Sequence, residues 1–83
     1  MAVRLTPDAQ RDLATLPVTI RARARKVLAR LEQWPAVSGA KPMHGNLVGH
    51  FQMRTGDFRV LFRPDGQDVI VLRIRDRKDV YDD

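Results

Sequence analysis

Between Leu47 and Arg75 apolar residues recur at every second position in three runs, the spacing that puts side chains on one face of a strand. The first run alternates Leu47, Gly49, Phe51 and Met53 against Val48, His50, Gln52 and Arg54, and Gly56-Asp57 ends it in a turn. In the second, Phe58, Val60 and Phe62 oppose Arg59, Leu61 and Arg63 before Pro64-Asp65-Gly66 turns the chain again. The third sets Ile70, Leu72 and Ile74 against Val69, Val71, Arg73 and Arg75. The pattern predicts a three-stranded antiparallel meander, with Phe51, Met53, Phe58, Val60, Phe62, Ile70, Leu72 and Ile74 on its core face.

The first half follows a different period. Val3 to Thr6 reads as a short strand, and Thr6-Pro7-Asp8 as a helix start: a capping hydroxyl, a proline at the first helical position and an early carboxylate. Ala9, Leu13 and Leu16 continue at helical spacing until Pro17 interrupts them. A second helix then carries Ile20, Ala24, Val27, Leu28, Leu31 and Trp34 on one stripe and stops at Pro35. Its other faces hold Arg21, Arg23, Arg25, Lys26 and Arg30 with no acid until Glu32, which suits either a solvated face or an acidic partner. Ala36 to Gly45, with Pro42 and two glycines, reads as a loop.

These elements predict one α+β domain spanning residues 1–83: a short N-terminal strand, a helical hairpin and a three-stranded meander, with the helices packed on one sheet face as a two-layer sandwich. At 83 residues the chain has room for one core. It has no cysteine, so disulfides and thiolate metal sites are excluded. No apolar stretch approaches the ~20 residues of a membrane span, and no leader pattern opens the sequence. A cytoplasmic protein without membrane attachment is expected.

Charge changes the picture of the sheet. Fifteen Lys and Arg face ten Asp and Glu, giving a formal charge of +5, and most of the cations are arginine. The arginine fork matches phosphate and carboxylate bidentately, which points to nucleic acid or an acidic protein. Alternation collects His50, Gln52, Arg54, Arg59, Arg63, Arg73 and Arg75 on the face turned away from the core. There is no phosphate loop, dinucleotide fingerprint or serine elbow, and His44 and His50 are the only histidines, so no metal or cofactor is expected.

A cationic face with a histidine has the parts for cutting RNA. That reaction needs a base for the ribose 2′-hydroxyl, cations for the charge growing on phosphate, and an acid for the leaving 5′-oxygen. His50, the arginines and Tyr81 are the candidates. Each has a plainer alternative. His50 is either this base or an exposed strand residue, and Tyr81 either meets the substrate or closes the sheet edge with its ring. Arg59 and Arg77 either hold phosphate or form surface pairs with Asp57, Asp76 or Asp79.

Several segments together resemble the RelE/ParE superfamily of bacterial toxins from type II toxin–antitoxin modules. They are Leu5 to Leu16 with Asp12-Leu13 and Leu16-Pro17, Lys41-Pro42-Met43-His44-Gly45-Asn46-Leu47, Arg54-Thr55-Gly56-Asp57-Phe58-Arg59-Val60, and Val71 to Tyr81 ending in Arg77-Lys78-Asp79-Val80-Tyr81. The resemblance implies a RelE-like endoribonuclease that cleaves mRNA at the ribosome and is silenced by an acidic antitoxin, the pair also binding operator DNA. It implies that Arg59 binds the scissile phosphate, that Arg77, or Arg75 in its place, is a second cation, and that Tyr81 contacts the reacting nucleotide. His50 then completes the catalytic set of His50, Arg59, Arg77 and Tyr81, while Gln52, Arg54, Arg63, Arg73, Arg75 and Lys78 form the RNA-binding surface. The sequence departs from the RelE-like pattern at His50 and Gln52, where lysine or arginine is common. That departure keeps open a ParE-like poison of DNA gyrase, or an antitoxin-binding co-repressor module.

Overall fold

A computed structural model describes residues 1–76 of the chain. Five strands and two helices follow in the order β1 (Ala2–Leu5), α1 (Pro7–Thr15), α2 (Val18–Leu31), β2 (Lys41–Pro42), β3 (Phe51–Thr55), β4 (Phe58–Asp65) and β5 (Asp68–Asp76). They build one sheet in the order β1-β5-β4-β3-β2, in which β1 runs parallel to β5 and every other pair is antiparallel. The helices cover one face, α1 against β5 and α2 against β3, β4 and β1. The expected α+β sandwich is present, with two more sheet members than the meander alone: β1 joins beside β5, and β2 arises inside the segment read as a loop.

Thr6 starts α1 as the cap residue, its Oγ1 accepting from the Ala9 N–H at 3.1 Å, with Pro7 next in the chain. The same hydroxyl donates to the Leu72 carbonyl at 2.9 Å, while the Thr6 N–H donates to the Val71 carbonyl. One residue thus caps the helix and pins its start to β5. Arg21 joins the two helices at their other end, donating to the Ala14 and Leu16 carbonyls that α1 leaves unpaired. Helix α2 buries Ala24, Val27 and Leu31 on the predicted stripe. Trp34 lies beyond the helix end and packs on Phe51 and Phe62, with ring centroids 4.8 and 5.2 Å away.

The third run departs from expectation. Leu61 pairs with Arg73, but Phe62 pairs with Val71, so Leu72 is an extra residue in β5, a bulge. One inserted residue reverses the parity of side chains. Val69 and Val71 are therefore fully buried on the core face before the bulge, and Ile74 takes that face after it. Ile70 and Leu72, expected in the core, are only half-buried. Thr6 occupies the bulge carbonyl, which ties this irregularity to the start of α1.

Three boundaries also shift, one of them the end of α2, which stops at Leu31 rather than running to Pro35. The first strand begins at Phe51 rather than Leu47, because Gly45 (φ +62°) and Gly49 (φ +90°) take left-handed conformations and Gly45–Leu47 winds into a single 3-10 turn. Pro64 lies within β4, past the end of β3, where the N–H it lacks has no strand to serve. The turn after β4 is Gly66-Gln67, not Pro64-Asp65-Gly66.

Candidate functional site

Three arginines stand in one row on the sheet face turned away from the helices. Arg54 of β3 pairs in register with Arg59 of β4, and Arg59 with Arg75 of β5. Directly opposed side chains in an antiparallel pair have Cβ atoms about 4.5–5.5 Å apart, and like charges placed so destabilise the sheet by up to about 1 kcal/mol per pair. Arg59 adds a second cost: its Nε is buried and meets no hydrogen-bond acceptor among the described residues. An unanswered buried donor costs about 1–3 kcal/mol. An anion bound along the row would relieve the repulsion between the arginines, so the row is a candidate anion site. A small cavity of about 20 Å³ opens beside it, lined by Arg54, Gly56, Asp57, Phe58 and Arg59.

The tight turn between β3 and β4 shapes the cavity. Gly56 adopts φ +60°, the left-handed conformation that glycine enters without strain. A side chain there would also crowd Arg23 of α2, whose Nη1 lies 3.2 Å from where a Cβ would stand.

The remaining candidates separate into groups. Gln52 is one step from the row on the same face, and its Oε1 is buried without a donor among the described residues. His50 sits just before β3, four residues from Arg54 and so about 13 Å along the strand direction. Its Nδ1 is 3.2 Å from the Leu47 carbonyl oxygen. A carbonyl can only accept, so this contact is a hydrogen bond when Nδ1 carries the proton, and that tautomer leaves the Nε2 lone pair available. Arg63 is half-buried at the far end of β4, with one nitrogen 4.0 Å from Asp65. Arg77, Lys78 and Tyr81 lie outside the described residues.

Arg73 has an intramolecular carboxylate partner. Its Nε and Nη2 donate to the Asp12 carboxylate of α1 at 2.8 and 3.2 Å, and the Ile74 N–H donates to the same carboxylate at 2.9 Å. Strand β1 ends at Leu5, opposite Val71, so Asp12 serves the stretch of β5 edge that β1 does not reach. Burial pushes the Asp12 pKa up, but the Arg73 and Ile74 hydrogen bonds and the charges of Arg73 and Arg75 outweigh it and hold the carboxyl below its usual value. Sequence reasoning did not single out this anchor. Its signal was Asp12 standing three residues after buried Ala9, on the inward flank of the helix. Of the basic residues on α2, Arg21 and Arg30 are likewise occupied by carbonyls, those of Ala14, Leu16 and Ser38.

Residues 3–81 match the sequence profile of the ParE toxin of the type II toxin–antitoxin system parDE. The chain belongs to the ParE toxin family. This ParE-family chain is also 38% identical over 82 residues to toxin RelG of Mycobacterium tuberculosis, an alignment covering 95% of this chain and 93% of RelG. Its fold superposes on a chain of the RelBE2 toxin–antitoxin complex of M. tuberculosis with a TM-score of 0.79 and 33% identity, covering 92% and 96% of the two chains. Isolated RelE toxin of E. coli matches with a TM-score of 0.75 at 14% identity, over 90% of this chain and 82% of that one, a likeness of fold. The RelE/ParE resemblance read from the sequence is borne out, and the protein is a toxin of a type II toxin–antitoxin system. No helix among the described residues is long and apolar enough to cross a membrane.

Proposed function

We propose that this toxin is an endoribonuclease that cleaves mRNA at the ribosome without a metal cofactor and is neutralised by an acidic antitoxin. The observation that carries the reading is the Arg54–Arg59–Arg75 row with the unanswered Arg59 Nε. RNA brings its own nucleophile. The 2′-oxygen attacks the adjacent phosphorus, the bond from phosphorus to the 5′-oxygen breaks, and a 2′,3′-cyclic phosphate remains on the upstream fragment. The protein must stabilise the charge growing on the phosphate oxygens, accept the 2′-proton and see the 5′-oxygen protonated.

Arg59, flanked by Arg54 and Arg75, holds the scissile phosphate. Each guanidinium offers paired donors to its oxygens. His50 is the proton acceptor, using Nε2 while the Leu47 carbonyl fixes Nδ1–H. The long arginine side chains and a nucleotide laid along β3 span the distance between them. Tyr81 and Arg77 complete the site from the C-terminal segment as second donor and cation, and Gln52, Arg63, Arg73, Arg75 and Lys78 border the RNA path. The relative in the RelBE2 complex supports an antitoxin as partner, and the basic surface suits an acidic one. The toxin–antitoxin pair binding its operator belongs to the same reading.

The test is RNA end-mapping with purified toxin and programmed ribosomes. Wild-type protein is expected to give discrete cuts within reading frames, and Arg59→Ala to lower the rate about 100- to 1,000-fold, the usual effect of removing one donor to a developing oxyanion. No cut at any codon would overturn the reading. The ParE family match favours a second one, a gyrase poison using the same face, which predicts blocked supercoiling and stabilised DNA breaks with intact mRNA.

A further inference from the structure

The cationic row does not stop at β3. Strand β2 pairs with β3 so that Lys41 stands directly opposite Gln52. Partners in register project to the same face, so Lys41 joins Gln52, Arg54, Arg59 and Arg75 on the face away from the helices. Gln52 is two residues from Arg54 along β3, which makes Lys41 and Arg54 diagonal neighbours with Cβ atoms about 7–8 Å apart. Four strands thus contribute Arg75, Arg59, Arg54 and Lys41 to one track. Lys41 is exposed, and its side chain makes no hydrogen bond or ion pair among the described residues.

We infer that Lys41 and Gln52 form a subsite for the nucleotide next to the scissile phosphate, Lys41 binding its phosphate and Gln52 accepting a hydrogen bond from its base. Two independent features meet here: a cation at the edge of the row, and a buried amide oxygen with no donor among the described residues. A carboxylate ligand would satisfy Lys41 and repel the Gln52 oxygen, whereas a nucleotide supplies both the anion and the donor. The Gln52 side chain is half-buried, so packing restricts its rotamers before the ligand arrives. Lys41 is a flexible point charge, suited to a phosphate that is bound but not cut. The subsite rests on the ribonuclease reading and extends the strand's path from β5 to β2.

Binding of a single-stranded RNA 12-mer with 2′-O-methyl groups throughout, which cannot be cleaved, tests it with the full chain. Affinity is measured against salt concentration for wild type, Lys41→Ala, Arg59→Ala and Arg25→Ala, the last an exposed cation on α2. Each phosphate contact on a single strand contributes about 0.7 to the slope of log affinity against log salt. Lys41→Ala and Arg59→Ala are each expected to reduce the slope by about that amount, and Arg25→Ala to leave it unchanged. Gln52→Leu is expected to weaken binding at an unchanged slope, because it removes an acceptor and no charge. An unchanged slope for Lys41→Ala, or an equal fall for Arg25→Ala, overturns the subsite while a lowered slope for Arg59→Ala leaves the ribonuclease reading standing. Wild-type protein that neither binds this RNA nor cleaves on the ribosome overturns both. Lys41→Ala that weakens only an acidic antitoxin peptide overturns the subsite as well.

Discussion

Replacing Asp12 with alanine is expected to cost about 3 kcal/mol of folding stability, because one carboxylate answers three donors on a strand edge. Its side chain is 16% exposed and that of Arg73 34%. Arg73 is wet enough that losing the pair costs about 1 kcal/mol, the upper range for a solvent-screened ion pair. The Ile74 N–H, buried against α1 without another strand beside it, then loses its acceptor for about 1–3 kcal/mol more. A domain of this size is stable by roughly 4–12 kcal/mol, so the loss is a large share of the total. Asp12→Asn keeps an oxygen for the Ile74 N–H and should cost about 1 kcal/mol. Urea unfolding followed by circular dichroism measures both, with the midpoint falling and the slope unchanged.

Acidity gives a second readout of the same contact. The folded state holds the Asp12 pKa below its unfolded value, so the unfolded chain binds the extra proton. The stabilisation is therefore complete above the ordinary aspartate pKa of about 3.9 and is lost as pH falls through the lower folded value. The gap between wild type and Asp12→Asn should narrow on going from pH 6 to pH 3. Asp12→Ala unfolding within 0.5 kcal/mol of wild type, or a gap that stays constant with pH, would refute the reasoning.

Two further outcomes follow from the site and the bulge. His50→Ala is expected to slow cleavage about 100-fold, the low end for general acid–base catalysis, with urea stability unchanged; cleavage at the wild-type rate would remove His50 from the chemistry. Val71→Thr, which puts a hydroxyl at a fully buried position, should cost about 1–3 kcal/mol, whereas Leu72→Thr, on the half-buried bulge residue, should cost clearly less. The reverse order would return the core to the unbulged register.

The starts of the helices and the first hairpin were legible because their signals are local. Thr6-Pro7 starts α1, the apolar stripe of α2 gives its buried face, and Gly56-Asp57 turns β3 into β4 as read. Arg54 and Arg59 were placed on one face for the same reason. The third strand was harder: Val69 to Leu72 is apolar on both sides, so alternation has no polar partner from which to take its parity. The run of four was consistent with either face, and the parity chosen was the wrong one up to the bulge.

Sequence alone determined the class of the fold, the two helices, the first hairpin and the excess of arginine, since each depends on spacing or composition within a few residues. Tertiary structure decided what depends on residues far apart in the chain. The pairing of β1 with β5, the bulge held by Thr6, the Asp12 anchor across 61 residues and the arrival of Lys41 opposite Gln52 are all of this kind. Hydrophobic periodicity records which side of an element faces the core, but not which neighbour lies at its edge. The cationic track crosses strand edges, so its full extent emerged only when the sheet was assembled.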